Sequence, residues 1–381
     1  MDFDLTDEQL SYQETVTQFA RHYLNEGMVE RDANLVFDTT AWKRCAEFGL
    51  QGLPVPPEYG GQGADPLTLV LAMEALGYGC TDNGLIFSLN AQMWSCEVPI
   101  LRFGSDEQKR RYLPGLCDGS LIGVQGMSEP GSGSDAFSLT TSVRKDNGGF
   151  VLNGQKTFIT NAPVADVFVV FATSDRSKGG FGLSAFLVEA DTPGLEIGAP
   201  FHKMGLRTSP MSELSFADCK IPATNLLGPF GAGMAIFNHS MEWERGIILA
   251  SAVGTMRRQL EAAVTYAKAR QQFGKPIGKF QGVSHRIADM KVRLEAGRLL
   301  LYQLGWAMSM GRPTRLESAM VKLYLSEALV QSSLDTIQIH GGYGYMTETQ
   351  VERDLRDAIG SRIYSGTSDI QRNLITAHLG L

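Results

Sequence analysis

Gly148–Thr160 reads GGFVLNGQKTFIT, two β-prone runs separated by Asn153-Gly154. Asn-Gly between such runs is the strongest short-range hairpin signal, so a turn is expected at that dipeptide. VADVFVVFAT (164–173), GLSAFLVEA (182–190) and SELSFADCKIP (212–222) follow, punctuated by Gly, Pro and Asp. Residues 121–228 therefore read as a small β domain. The texture changes on both sides of it. Thr6 and Gln9 fit a capping box that opens a first helix. Leu69, Val70, Met73 and Leu76 recur at helical spacing in TLVLAMEALG, giving residues 1–120 the character of an all-α domain. Beyond 229, the stretches 251–270, 283–310 and 315–339 each place apolar residues three and four apart. Helices that long bury their faces in a bundle, here spanning 229–381. The fold class is α+β, in the order helical, β, helical.

Composition narrows the function. Lys and Arg number 34 against 41 Asp and Glu, a net charge of −7, which lacks the basic excess of a nucleic-acid binder. The five cysteines form no CxxC pair, as suits a reducing cytoplasm rather than a disulfide framework. The histidines show no HExxH and no cluster with cysteine, so no metal site is expected. No run approaches the roughly 18 apolar residues of a spanning helix, and the acidic start MDFDLTDEQLSYQ lacks signal-peptide features. A cytoplasmic protein is expected.

Four segments carry candidate chemistry. Met127–Asp135 (MSEPGSGSD) is rich in glycine and hydroxyls, which suits close approach of a flat polar ligand or a surface turn. Phe158 and Thr160, two apart on one strand, share a face; they can stack on and hydrogen-bond a ring, or simply pack. Arg270–Gly278 (RQQFGKPIG), with Phe280-Gln281, breaks two helices and offers an arginine fork for a diphosphate, or only a connector. Gln338–Tyr345 (QIHGGYGY) and Arg362–Gln371 (RIYSGTSDIQ) complete the set, and either can be just a helix end and a loop.

In this order and spacing, the segments resemble those of the acyl-CoA dehydrogenase family, which read TEPGAGSD, WITN, RxxFGxxI…FQ, QxxGGxGY and YxGTxxIQ. The resemblance covers essentially the whole chain. It implies an N-terminal helical domain, a middle β-barrel-like domain and a C-terminal four-helix bundle, with FAD between the last two. By resemblance, Met127, Ser128, Ser134, Phe158 and Thr160 surround the isoalloxazine and ribityl chain. Arg270, Phe273, Gln281, Gln338, Gly342, Thr367 and Asp369 hold the diphosphate and adenosine. In the family some of these come from a neighbouring subunit, so a homotetramer, or at least a dimer, is implied.

The chain departs from the pattern in two places. Phe158 stands where tryptophan is commoner, and Ser365 where many members carry the catalytic glutamate. A serine at its ordinary pKa cannot take the α proton of a thioester. A smaller set of the family carries its base just before an arginine on the first bundle helix, which here is Glu244. The resemblance leaves Ser365 its backbone N–H, as a donor to the thioester carbonyl. Enclosure raises a carboxylate's pKa toward a useful value, and a hydrogen-bonded carbonyl accommodates enolate charge. Without the family, Glu244 reads as a helix carboxylate paired with a nearby base; Glu242 is its neighbouring rival.

Thr160–Phe168, Ser240–Arg245 and Arg362–Gln371 look like the oxidases that act on prolyl groups tethered to carrier proteins in natural-product pathways. That resemblance implies conversion of an L-prolyl thioester to a pyrroline and, in a second round, to a pyrrole-2-carboxyl thioester. His340–Tyr345 reads more like ordinary acyl-CoA dehydrogenases, which keeps acyl-CoA as an alternative substrate. Electron-transfer flavoprotein or oxygen is the implied acceptor. The other alternative is a flavin-binding protein that has lost catalysis, with Ser365 marking the missing base. Lys109-Arg110-Arg111 offers basic side chains toward an acidic carrier, although solvated charge is the usual meaning of such a run.

Overall fold

The computed structural model describes residues 5–381; Met1–Asp4 of the acidic start lie outside the described residues. The chain begins with helices α1 (Asp7–Tyr23), α2 (Met28–Asn34), α3 (Thr39–Phe48) and α4 (Pro66–Gly79). It continues through α5 (Asn83–Gln92), α6 (Val98–Phe103) and α7 (Asp106–Cys117). Thr6 accepts from the Gln9 N–H while Gln9 reaches back to the Thr6 N–H, which forms the capping box read from the sequence. Leu69, Val70, Met73 and Leu76 are all buried, but so is every other residue from Leu69 to Gly79 except Tyr78. That helix is a core element with no open face, and its one carboxylate, Glu74, is met by Arg298 (2.9 Å) and the Tyr302 hydroxyl (2.7 Å).

Eight strands form one mixed sheet: β1 (Gly123–Gly126), β2 (Ser142–Asp146), β3 (Gly149–Thr160), β4 (Val167–Thr173), β5 (Leu183–Glu189), β6 (Leu195–Ile197), β7 (Met211–Pro222) and β8 (Leu226–Leu227). Their order is β6-β7-β3-β2-β4-β5-β8, with β1 parallel to β4. The expected turn at Asn153-Gly154 is not there. Those residues lie inside β3, and the hairpin turns at Asn147-Gly148, where Asp146 pairs with Gly149. Both turn residues have positive φ (37° and 83°), as a two-residue turn matching strand twist requires. Gly154 instead continues β3 opposite a bulge in β7: from Leu152 to Gly154 the partner runs from Cys219 to Phe216, one residue more, with Asp218 at φ 46°, and a Cβ at Gly154 would lie 2.5 Å from the Thr141 Cα.

The second helical region holds α8 (Gly233–Ile247), α9 (Ala250–Ala269), α10 (Gln281–Ser309) and α11 (Arg315–His340), then α12 (Val351–Gly360) and α13 (Ser368–His378). The first four make the bundle. Its core is continuous with that of α1, α3, α4 and α5, so the two helical regions bury apolar surface against each other. One face of β4 and β5, through Val167, Val169, Phe171 and Leu187, packs on Leu113 and Leu116 of α7 and on Ile236, Phe237 and Met241 of α8. Helix α8 is thereby fixed between sheet and bundle by apolar burial on one side.

Candidate active site

Glu244 sits in the last turn of α8, half-buried. The turn after α12 brings Ser365 to it, and the Ser365 hydroxyl donates to Glu244 Oε1 at 2.5 Å across 121 residues of chain. Burial raises the Glu244 carboxyl above the ordinary carboxylate range. The Ser365 hydroxyl, the Arg245 guanidinium and the Lys322 ammonium pull the other way without cancelling it. Ser365 adopts left-handed backbone (φ 56°) and Gly366 follows at 86°. Among the described residues the Ser365 N–H has no acceptor, whereas the preceding Tyr364 N–H bonds Gly360 O at 3.1 Å. A carboxylate with raised proton affinity and a free N–H thus stand on adjoining groups. Glu242 is engaged elsewhere: its Oε1 accepts from the N–H (3.0 Å) and hydroxyl (2.9 Å) of Thr314, at the start of α11.

The loop at 127–135 runs beside β3. Thr157 N–H bonds Ser128 O (2.9 Å), and Lys156 Nζ bonds Met127 O (3.1 Å), so Met127 and Ser128 are brought alongside Phe158. Phe158 is 65% exposed at φ 58°. Thr160 is half-exposed on the same side, with Ile159 buried between them. An aromatic ring held outward in strained backbone, flanked by hydroxyls and an open glycine loop, is a platform for a flat polar ligand. Ser134 is exposed further along the loop.

A second group gathers where α9, α10 and α11 end or begin. Arg270, Phe273, Gln281, Gln338 and Gly342 are all exposed, Phe273 by 93%. Arg270 lies over the Tyr343 ring at 5.9 Å. Thr367 caps α13 by accepting the Ile370 N–H at 3.2 Å, and Asp369 pairs at the surface with Arg372 (3.0 Å).

Sequence reasoning missed the groups that hold these residues in place. Glu129 of the glycine-rich loop forms a fully enclosed ion pair with Lys156 of β3 at 2.8 Å, and also accepts from the Thr140 and Thr141 N–H groups. These donors hold the Glu129 carboxyl at about 2, while burial brings Lys156 down to about 8. A lysine inside an apolar strand was the available signal, because an enclosed lysine needs a partner. Buried Lys322 and Gln371, both beside the Ser365 turn, gave no such signal.

Known proteins resemble this chain along its whole length. Residues 6–120, 125–219 and 231–380 match the acyl-CoA dehydrogenase N-terminal, middle and C-terminal domains. An L-prolyl-[peptidyl-carrier protein] dehydrogenase of Serratia sp. is 45% identical over 100% of this chain and 99% of its own. The crystal structure of the prolyl acyl carrier protein oxidase AnaB superposes with a TM-score of 0.98 at 49% identity, covering 99% of this chain and 100% of AnaB. PigA with FAD and proline gives 0.98 at 44% identity, with both chains covered completely. With all three domains matched in order and full-length relatives well above 40% identity, this chain belongs to the acyl-CoA dehydrogenase family.

Proposed function

We propose that this protein is an FAD-dependent dehydrogenase of a carrier-protein-bound L-prolyl thioester, acting in secondary metabolism. The observation that carries the reading is the Glu244–Ser365 pair, in a chain alike from end to end to prolyl-carrier dehydrogenases. Glu244 takes the α proton through its carboxylate, and its raised proton affinity suits that task. The free Ser365 N–H accommodates negative charge growing on the thioester carbonyl. Both residues are half-buried, and the partial removal of water strengthens each interaction.

The residues present fit FAD. Phe158 offers an exposed face, Met127, Ser128 and Thr160 lie alongside it, and Ser134 would add a further hydroxyl from the loop. Arg270, Phe273, Gln281, Gln338, Gly342, Thr367 and Asp369 would hold the diphosphate and adenosine, with Arg270 as the charged fork. Bound there, FAD supplies the acceptor for the β hydrogen, which leaves with its electron pair as the α proton goes to Glu244. The exposed Phe273, Tyr343 and Tyr345 beside Arg270 support a subunit interface at that end, in a homotetramer. Electron-transfer flavoprotein or oxygen takes the electrons onward. Five buried, unpaired cysteines support a cytoplasmic location, and no helix of the described residues is long and apolar enough to cross a membrane.

An anaerobic spectral titration of the holoenzyme tests the substrate. L-prolyl carrier protein is expected to bleach the flavin band, with short- and medium-chain acyl-CoAs leaving it intact. Bleaching by acyl-CoA alone would return the protein to ordinary thioester metabolism, the reading that the His340–Tyr345 segment favours.

A further inference from the structure

Lys322 is fully buried on α11, an expensive place for an ammonium group. Its Nζ donates to Ser361 O at 2.6 Å and to Gly366 O at 3.0 Å. Those two carbonyls bracket the turn that carries Ser365. Two more side chains grip the same turn: Gln371 Nε2 bonds Ser365 O (3.2 Å) and Gly366 O (2.8 Å), and Arg245 Nε bonds Ser365 O (3.2 Å). Left-handed backbone at a serine is strained and persists only where its surroundings over-determine it. Here they do, and the outcome is specific: the hydroxyl meets Glu244 and the N–H is left open.

We propose that Lys322 and the Ser365 hydroxyl are the positioning residues for the base, the lysine by clamping the turn and the hydroxyl by holding the Glu244 carboxylate. The inference rests on the reading of Glu244 as the base. It also gives Ser365 a side-chain role in addition to its N–H. Both groups favour the ionised carboxylate, one as a hydrogen-bond donor and one as a cation facing it. The other charged and titratable groups around them are few. Arg245 is next to Glu244 on α8, Tyr364 precedes Ser365 and lies 5.4 Å from Lys322 Nζ, Glu327 follows on α11, and Asp357 faces Tyr364 from α12. Burial outweighs them at both ends of the device, raising Glu244 and bringing Lys322 down to about 7.

Deprotonated Glu244 is the active form, so the rate of flavin reduction climbs with pH along a limb set by that carboxyl. The test is stopped-flow reduction of the holoenzyme by L-prolyl carrier protein across pH, for wild type, Ser365→Ala and Lys322→Met. Each variant is expected to keep its flavin and to move the limb up by about one pH unit, or tenfold in rate on the limb itself. A lysine that merely satisfies two carbonyls would lower stability and leave the limb in place; an unmoved limb in either variant overturns the proposal. If Lys322→Met yields no holoenzyme, Ser365→Ala decides, because it removes one oxygen and leaves the bonds of Lys322, Gln371 and Arg245 to the turn in place. Wild-type flavin that prolyl carrier protein fails to reduce would instead refute the substrate reading, a separate result.

Discussion

Around Glu244 the chain completes its own polar chemistry: Ser365, Lys322, Gln371 and Arg245 meet one another and the turn between them. Around Arg270 it leaves the chemistry unfinished. Arg270, Gln281 and Gln338 face solvent, and Phe273, Tyr343 and Tyr345 expose their rings beside them. Exposed aromatic groups clustered with a cation are costly to leave in water and mark a surface meant for a ligand or partner. The proton-moving end of the site is therefore preorganised within one chain, whereas the end assigned to the cofactor's diphosphate and adenosine awaits something from outside. Substitutions at the first end should change rate with little effect on binding, and those at the second should do the reverse.

The sharpest probe of that division is Glu244→Gln. The amide keeps the shape and an acceptor for the Ser365 hydroxyl but cannot take a proton. Reduction of the flavin by substrate should slow by roughly 10²- to 10⁴-fold, the usual worth of a positioned base, with FAD content unchanged. A loss of less than tenfold, measured under anaerobic single turnover, would remove Glu244 from the chemistry and break the comparison.

Glu129→Gln probes the scaffold under the flavin platform. It leaves the Lys156 ammonium enclosed without its counter-charge, and breaking one half of such a pair costs about 3–5 kcal/mol. Denaturant unfolding should show that loss. The pH dependence has a definite sign. The Glu129 carboxyl lies lower in the folded chain, at about 2, than its ordinary 4.5. Its contribution is therefore complete above 4.5 and is lost as the pH falls toward 2, so the gap between wild type and variant should close over that acid range. A gap that persists there would mean that packing, rather than charge, carries the pair.

How much of this was legible before the structure differs by region for physical reasons. Helical and strand periods gave the order of the three regions, because each period reports burial on a known geometry. Asn147-Gly148 and Asn153-Gly154 are chemically the same dipeptide, yet one turns the chain and the other runs on inside β3, opposite a bulge in β7. Local sequence cannot separate them; the close approach of Thr141 to Gly154 does. The same limit governs the site. Glu244 stood out only through resemblance to a family, and its partner Ser365 lies 121 residues away. Lys322 drew no reading of its own, since nothing nearby in sequence reveals that its ammonium reaches two carbonyls of a distant turn. The exposed residues at Arg270, by contrast, were visible because Gly and Pro interrupt the helices there.

The smallest of these effects, and the one that tests the open end directly, is expected from Arg270→Ala. Its guanidinium meets a neighbouring ring at 5.9 Å and is otherwise turned to solvent, so the chain itself should hardly notice the change. Unfolding of the FAD-free protein should shift by no more than about 0.5 kcal/mol, as for other surface substitutions. FAD retention should weaken roughly ten- to a hundredfold, the worth of one charge-assisted bond to a diphosphate, when apoprotein is titrated with FAD. Once saturated, the variant should be reduced by substrate at the wild-type rate, because the Glu244 end is complete without it. Unchanged FAD affinity would mean that the exposed end serves only subunit contact. A slowed saturated rate would mean that the two ends are coupled, and the division between them would have to be given up.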